Sequence, residues 1–268
     1  MEKIDLLYIF NFKENLIDDA IDRLNYSINS INTKDVNIKI CNYSKYCIKG
    51  ELNTKQDFKY IHKPLFGEFS RSKTINKGVK DLVTSSYFIL SDIDLIYSKN
   101  HFNKIKDIID ENKNPIRLVS YNLNQRPIYS SKFAYSRQKY LKKFYRKFSK
   151  KTKPQYFSDF NTLITNSSFF EKGFAHGNGL IHRETFDKIG GYDEEFIGYG
   201  PEDDMFNNRI SFLNKLIYYE KDDLLTLHLW HPRYNMIQFK KNMKIWEERK
   251  NYLKTLKNPK IEELFSKK

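Results

Sequence analysis

The sequence predicts an α/β fold, a single domain around a mostly parallel sheet. Three observations predict it. An apolar run at residues 4–10, a stretch with helical spacing and a second strand-like run at 36–41 form a βαβ opening. A further apolar run, 87–91, leads straight into two acids, Asp92 and Asp94. The chain has 268 residues, 40% of them hydrophobic, which suffices for one large domain or a domain with an appendage.

Residues 4–10, IDLLYIF, read as a buried strand. Leu16, Ile17, Ala20, Ile21, Leu24, Ile28 and Ile31 then share one helical face. The strand at 36–41 ends in the polar turn Asn42-Tyr43-Ser44. Parallel strands joined in this way take a right-handed crossover. Their ligands bind beyond the carboxyl ends of the strands, which makes Asn42, in the loop 42–46, a candidate ligand contact. A short strand is expected at 59–62, a helix at 70–83, a strand at 87–91, a helix at 101–113 and a strand at 116–120. Residues 184–189 read as a helix closed by the turn Gly190-Gly191, and another helix starts near Glu202. A strand at 224–229 runs into His228-Leu229-Trp230-His231. Met236, Phe239, Met243, Trp246 and Leu253 then line one face of a C-terminal helix.

Composition narrows the function classes. A formal charge of +14 attracts anionic partners. Overuse of Lys, Asn, Ile, Tyr and Phe is the mark of an AT-rich genome, so the charge is discounted as a functional signal and nucleic acid is not an expected partner. The 19 Tyr and 21 Phe can fill a core or offer platforms for sugars and bases. No run reaches the roughly 20 apolar residues of a membrane helix. The opening Met1-Glu2-Lys3 and the short apolar run after it do not make a secretion signal, which predicts a cytoplasmic protein with Cys41 and Cys47 as reduced thiols. Residues 132–153 carry ten Lys or Arg and no acid. They read either as a solvated helix or, with Tyr135, Tyr140, Leu141, Phe144 and Phe148 interleaved, as an interfacial helix. The second reading puts the protein peripherally on an anionic membrane.

Three motifs carry chemistry. In Ser91-Asp92-Ile93-Asp94, two carboxylates leave a strand together and can hold a divalent cation against a diphosphate; the plainer reading is a turn in which Asp caps backbone NH groups. In Gly198-Tyr199-Gly200-Pro201-Glu202-Asp203-Asp204, three acids open a helix. The helix dipole favours acids there in any case, but one of them can act as a general base on a hydroxyl. His228 and His231, three apart past a strand end, can share one face of a turn and suit Mn or Zn. His176 and His182 read as ordinary histidines.

In combination the motifs resemble a family. Phe69-Ser70-Arg71-Ser72-Lys73 with Asn76 and Gly78, followed by SDIDLIY at 91–97, resembles the nucleotide-binding half of the β-1,4-galactosyltransferases. GNGLIHRETFDKIGGYDEEFIGYGPEDDMFNNR at 177–209 is similar to their second half, and to bacterial capsule and chondroitin-type glycosyltransferases of family 2. The resemblance implies the GT-A fold over residues 1–235. A nucleotide-binding half occupies 1–100, an acceptor and metal half 160–235, a basic insertion 132–153 and a C-terminal helical segment 236–268. It implies an inverting, metal-dependent transferase that takes a hexose or N-acetylhexosamine from a UDP-sugar to a glycan or lipid-linked glycan, in capsule or lipopolysaccharide synthesis. Asp94, His228 and His231 would hold Mn2+, with Mg2+ as a substitute; His228 stands where galactosyltransferases place Met. Phe10, Asn11, Arg71, Asp92 and Gly177 would join Asn42 on the nucleotide-sugar side. The family's Pro-containing turn reads Phe10-Asn11-Phe12 here. Tyr199, in place of a Trp, and Glu202 would meet the acceptor, and Asp203 would be the catalytic base.

Two rivals stand beside this reading. A nucleotidyltransferase needs a Gly-rich, basic loop after the first strand, and the loop here has Asn11 and Lys13 without glycine. A non-catalytic, basic glycan- or nucleic-acid-binding protein on a degenerate fold has no physical need for the acids and histidines together.

Overall fold

The computed structural model describes residues 3–11, 17–65, 67–98, 100–112, 116–125, 170–174, 177–213, 216–219, 224, 226–229 and 237–256. Strand β1 (Ile4–Phe10) sets the layering, because its side chains alternate between two cores. Leu6, Tyr8 and Phe10 enter one core, Leu7 and Ile9 the other. The first core is covered by α1 (Ile17–Asn29) through Ala20, Ile21, Leu24 and Ile28, and by α3 (His101–Glu111) through Phe102, Ile105 and Ile108. The second is covered by α2 (Arg71–Leu82) through Ile75, Val79 and Leu82. There α4 (Arg183–Lys188) adds Phe186, and α5 (Glu202–Ser211) adds Phe206 and Ile210. A sheet buried on both faces explains why β1 and β4 (Tyr87–Ser91) are mostly apolar, with Asp5 and Ser91 as buried exceptions, rather than alternating with polar residues.

The remaining strands are β2 (Val36–Asn42), β3 (Phe58–His62), β5 (Leu95–Tyr97), β6 (Arg117–Gln125), β7 (Phe170–Phe174), β8 (Gly179–His182), β9 (Leu216–Tyr219) and β10 (Thr226–His228). The order is β3-β2-β1-β4-β8-β6-β10-β5, with β7 and β9 also paired to β6. Strands β3, β2, β1 and β4 are parallel, as are β6 with β9 and with β10. Strand β8 is antiparallel to both β4 and β6, β7 to β6, and β5 to β10. This is the mostly parallel α/β architecture that the sequence predicts.

Several boundaries differ from expectation. The strand expected at 116–120 runs on to Gln125, because its first half pairs with β8 and β9 and its second half with β7 and β10. Strands β5, β7, β8 and β9 carry no local signal of their own, being short and fixed by their partners. Helix α2 starts one residue late, since Ser70 is its cap: the Ser70 hydroxyl accepts from the Lys73 N–H at 3.3 Å. The C-terminal helix α6 (Phe239–Thr255) forms as expected and packs Leu253 against Phe196 and Met205. Cys41 and Cys47 are both free, and burial pushes the Cys41 thiol up to about 12. Among the described residues no helix is long and apolar enough to cross a membrane. The basic stretch 132–153 and His231 lie outside the described residues.

Candidate active site

The site forms where β1 and β4 end and β8, α2 and α5 begin. Strand β4 delivers Ser91 and then the acidic turn. A buried polar ladder fixes that turn from beneath: Tyr97 Oη donates to Ser91 Oγ at 2.7 Å, and Ser91 Oγ donates to the Asp92 carbonyl at 2.8 Å. Asp92 is then held from the side by Asn178, whose Oδ1 accepts the Asp92 N–H at 2.8 Å and whose Nδ2 donates to Asp92 Oδ2 at 3.0 Å. Asn178 is buried and was not singled out by sequence reasoning. Its one available signal is a polar residue set between Gly177 and Gly179 at the entry to β8.

Arg71, at the first turn of α2, joins the two acidic motifs. Its Nη2 donates to Asp92 Oδ1 at 3.1 Å and to the Gly177 carbonyl at 3.0 Å, while Nη1 pairs with Asp203 Oδ1. Burial opposes the charge on Arg71, but Asp203 and Asp92 outweigh it and raise the guanidinium's pKa well above its ordinary value. Burial likewise pushes Asp92 up, and Arg71, with help from Asn178, brings it to a net value below the usual carboxylate range. Gly177 is required by close approach: a Cβ there would run into the Asp203 carboxylate and come within 3.0 Å of Arg71 Nη2. Four sequence-predicted residues, Arg71, Asp92, Gly177 and Asp203, are thereby brought together.

Glu202 opens α5 beside them and behaves differently. It is 5% exposed, and among the described residues no hydrogen bond reaches its Oε2. Burial, and then the neighbouring Asp203 charge, push its carboxyl up to about 8 despite Arg71 nearby. This has a consequence for stability. Below about pH 4.5 the folded and unfolded chains both hold the proton; from there to about 8 only the fold keeps it, so stability falls as pH rises through that window. Glu202→Gln stays neutral at every pH. The unsubstituted protein's melting temperature should slope downward between about pH 5 and 8 and that of Glu202→Gln should lose this slope; an unchanged slope would clear Glu202 as the cause.

The second pair stands at β5 and β10. These strands run antiparallel with His228 opposite Leu95, and the Leu229 N–H donates to the Asp94 carbonyl at 2.9 Å. That register sets His228 Nε2 3.5 Å from Asp94 Oδ1. Asp94 is buried and His228 half-buried. A carboxylate and an imidazole at this separation are a donor pair suited to a first-row divalent cation. Among the described residues no group of three His, Cys, Asp or Glu converges on a point, and the third expected ligand, His231, is outside them.

Two expected contact residues turn their side chains inward. The Phe10 ring is fully buried in the first core and fills space beneath the sheet. The Asn42 side chain is also fully buried: its Nδ2 donates to the Tyr46 carbonyl and to Tyr60 Oη, both at 2.8 Å, so it braces the loop from within. Asn11 is half-buried at the end of β1. Tyr199 is 42% exposed in the turn that leads into Glu202.

Comparison with known proteins settles the family. The family described as glycosyltransferase like family 2 matches residues 35–257, well over half of the chain. The chain belongs to that glycosyltransferase family. The matched span takes in all three acidic and histidine motifs of the glycosyltransferase as well as the whole of α6. No curated protein matches it. Among solved structures it is similar to the catalytic domain of Drosophila β1,4-galactosyltransferase 7 in complex with xylobiose, at 15% identity and a TM-score of 0.42, covering 83% of this chain. A mutant of the same enzyme in complex with manganese, UDP-Gal and xylobiose gives the same values. The glycosyltransferase spans 66% of the length of those chains, just under two thirds.

Proposed function

We propose that this glycosyltransferase is an inverting, metal-dependent enzyme that moves a hexose or N-acetylhexosamine from a UDP-sugar to a hydroxyl of a glycan acceptor in surface polysaccharide synthesis. The observation that carries the proposal is Arg71 bridging Asp92 and Asp203. It ties the acidic strand-end turn to the acid-rich helix start, so one cleft holds a donor-side and an acceptor-side carboxylate.

Each residue then has a task. Asp92, oriented by Asn178 and Arg71, meets the ribose or the donor sugar. Asp94 and His228, with His231, would hold Mn2+ or Mg2+. The cation, when bound, neutralises charge on the departing diphosphate. Glu202 carries its proton at neutral pH and so cannot accept another; it is fitted to donate a hydrogen bond to the acceptor. That leaves Asp203, the more exposed of the two, to take the proton of the attacking hydroxyl. A single displacement opposite the diphosphate converts an α-linked donor into a β-linked product.

The test is a screen of UDP-sugars with Mn2+, read as UDP release, beside a melt with UDP and Mn2+. One or more UDP-sugars should be hydrolysed, and the pair should raise the melting temperature, since a ligand that binds only the fold must stabilise it. Neither effect, or stabilisation by RNA or DNA instead, would overturn the proposal in favour of the binding-protein rival.

A further inference from the structure

A second guanidinium lies behind the cleft. Arg117, the first residue of β6, is fully buried. Its Nε donates to Asn207 Oδ1 at 3.2 Å, and its Nη1 reaches the carbonyls of Leu118 at 3.4 Å and Leu180 at 3.5 Å. Asn207 stands one turn after Asp203 on α5, on the same helix face. Leu180 lies in β8, just past Gly177 and Asn178. Arg71 joins α5 to the β8 entry at the cleft itself, through Asp203 and the Gly177 carbonyl. Arg117 joins the same two segments farther in. Gly179 shows how close the fit is: at φ 116°, a Cβ there would sit 2.3 Å from the Leu118 carbonyl oxygen and 3.2 Å from Arg117 Nη1.

Helix α2, which carries Arg71, is tied in through aromatic packing. Arg117 stands over the Phe206 ring, with Cζ 6.0 Å from the centroid. Phe206 stacks on Tyr192, with centroids 4.2 Å apart and planes 9° to each other. Asn76 of α2 grips the Tyr192 backbone, donating to its carbonyl at 2.9 Å and accepting from its N–H at 2.8 Å. The turn ahead of α5 is fixed separately by Asn242 of α6, whose Nδ2 donates to the carbonyls of Ile197 at 2.7 Å and Tyr199 at 2.9 Å. The Arg117–Asn207 bond then constrains how α5 is turned about its axis, and so where Asp203 points. Burial opposes the charge on Arg117 and lowers its pKa, against the pull of Tyr192 and Asp203. An aliphatic side chain would escape that cost, so the guanidinium is better explained by the geometry it enforces than by stability.

We propose that Arg117 is a positioning residue for the transfer: it holds α5 against β6 and β8 so that Asp203 meets the acceptor hydroxyl in line with the donor. The proposal rests on the transferase reading with Asp203 as base. Arg117→Met keeps much of the length and removes the fork. Asn207→Leu keeps the volume and removes the oxygen that Arg117 reaches. Each should lower kcat about 10- to 100-fold, since a misplacement of about 1 Å can cost about 100-fold, while the donor KM stays within about threefold. The double variant should lose no more than the worse single one, because both cut the same contact. Amide hydrogen exchange over residues 202–207 should quicken in each while β1 keeps its protection. If Arg117→Met does not fold, Asn207→Leu carries the test alone. A folded variant with the unsubstituted kcat, a raised donor KM in place of a lowered kcat, or unchanged exchange over 202–207 would overturn the proposal. Quickened exchange in a protein that releases UDP from no donor would keep Arg117's hold on α5 and remove the transferase mechanism, so the two failures are told apart.

Discussion

Asp203→Asn should lower acceptor-dependent UDP release by about 10²–10⁴-fold while the melting shift produced by UDP and Mn2+ persists. The substitution keeps the side-chain shape and leaves an oxygen to accept from Arg71, so the cleft stays assembled. It removes the ability to take a proton, together with the negative charge that pairs with Arg71. Glu202→Gln is the control that separates the two acids. Glu202 already holds its proton at neutral pH, so its amide replaces a hydrogen-bond donor with another donor, and turnover at pH 7 should stay within about tenfold. Transfer by Asp203→Asn at the unsubstituted rate, with Glu202→Gln inactive, would exchange the assigned roles.

Asp94→Ala should abolish the metal-dependent part of UDP binding. A ligand at about 100 times its Kd adds about 2.7 kcal/mol of stability, which for a chain of this size is a melting shift of roughly 5–10 °C. The unsubstituted protein should show that shift with UDP and Mn2+ together and a smaller one with UDP alone. Asp94→Ala should give the small shift under both conditions. The expectation rests on the β5–β10 register, which places His228 beside Asp94 and so offers a carboxylate and an imidazole as a donor pair. A full shift in the variant would move the metal elsewhere.

Legibility varied with how local each signal was. Strands β1, β2 and β4 and helices α1 and α2 stand within a residue or two of their expected positions, because each buries a largely apolar run, an alternating strand face or a helical stripe against a core. Strands β5, β8 and β10 are three or four residues long; their existence depends on partners far away in the chain, and only β10 lay inside an expected strand. The site shows the same division. Asp92, Asp94, Asp203 and His228 stand out as acids and histidines at strand or helix ends. Asn178 does not, since an isolated Asn carries no pattern, and its value lies in reaching Asp92 across 86 positions of sequence.

Phe10 and Asn42 show how little a strand-end position says about side-chain direction. Both sit at the carboxyl ends of parallel strands, where ligands bind, but position along a strand does not fix which way a side chain faces. The chain turns Phe10 into the core and spends the Asn42 amide on its own loop.

The sequence by itself determined the α/β class, the parallel βαβ opening and the inventory of acids and imidazoles, because hydrophobic period and residue type are properties of short segments. Tertiary structure alone decided that Arg71 is shared by Asp92 and Asp203, that burial raises the Glu202 carboxyl, and that α6 braces the Tyr199 turn. Those outcomes depend on charge separation, burial and contact between segments remote in the chain, and such distances exist only once the chain has closed on itself.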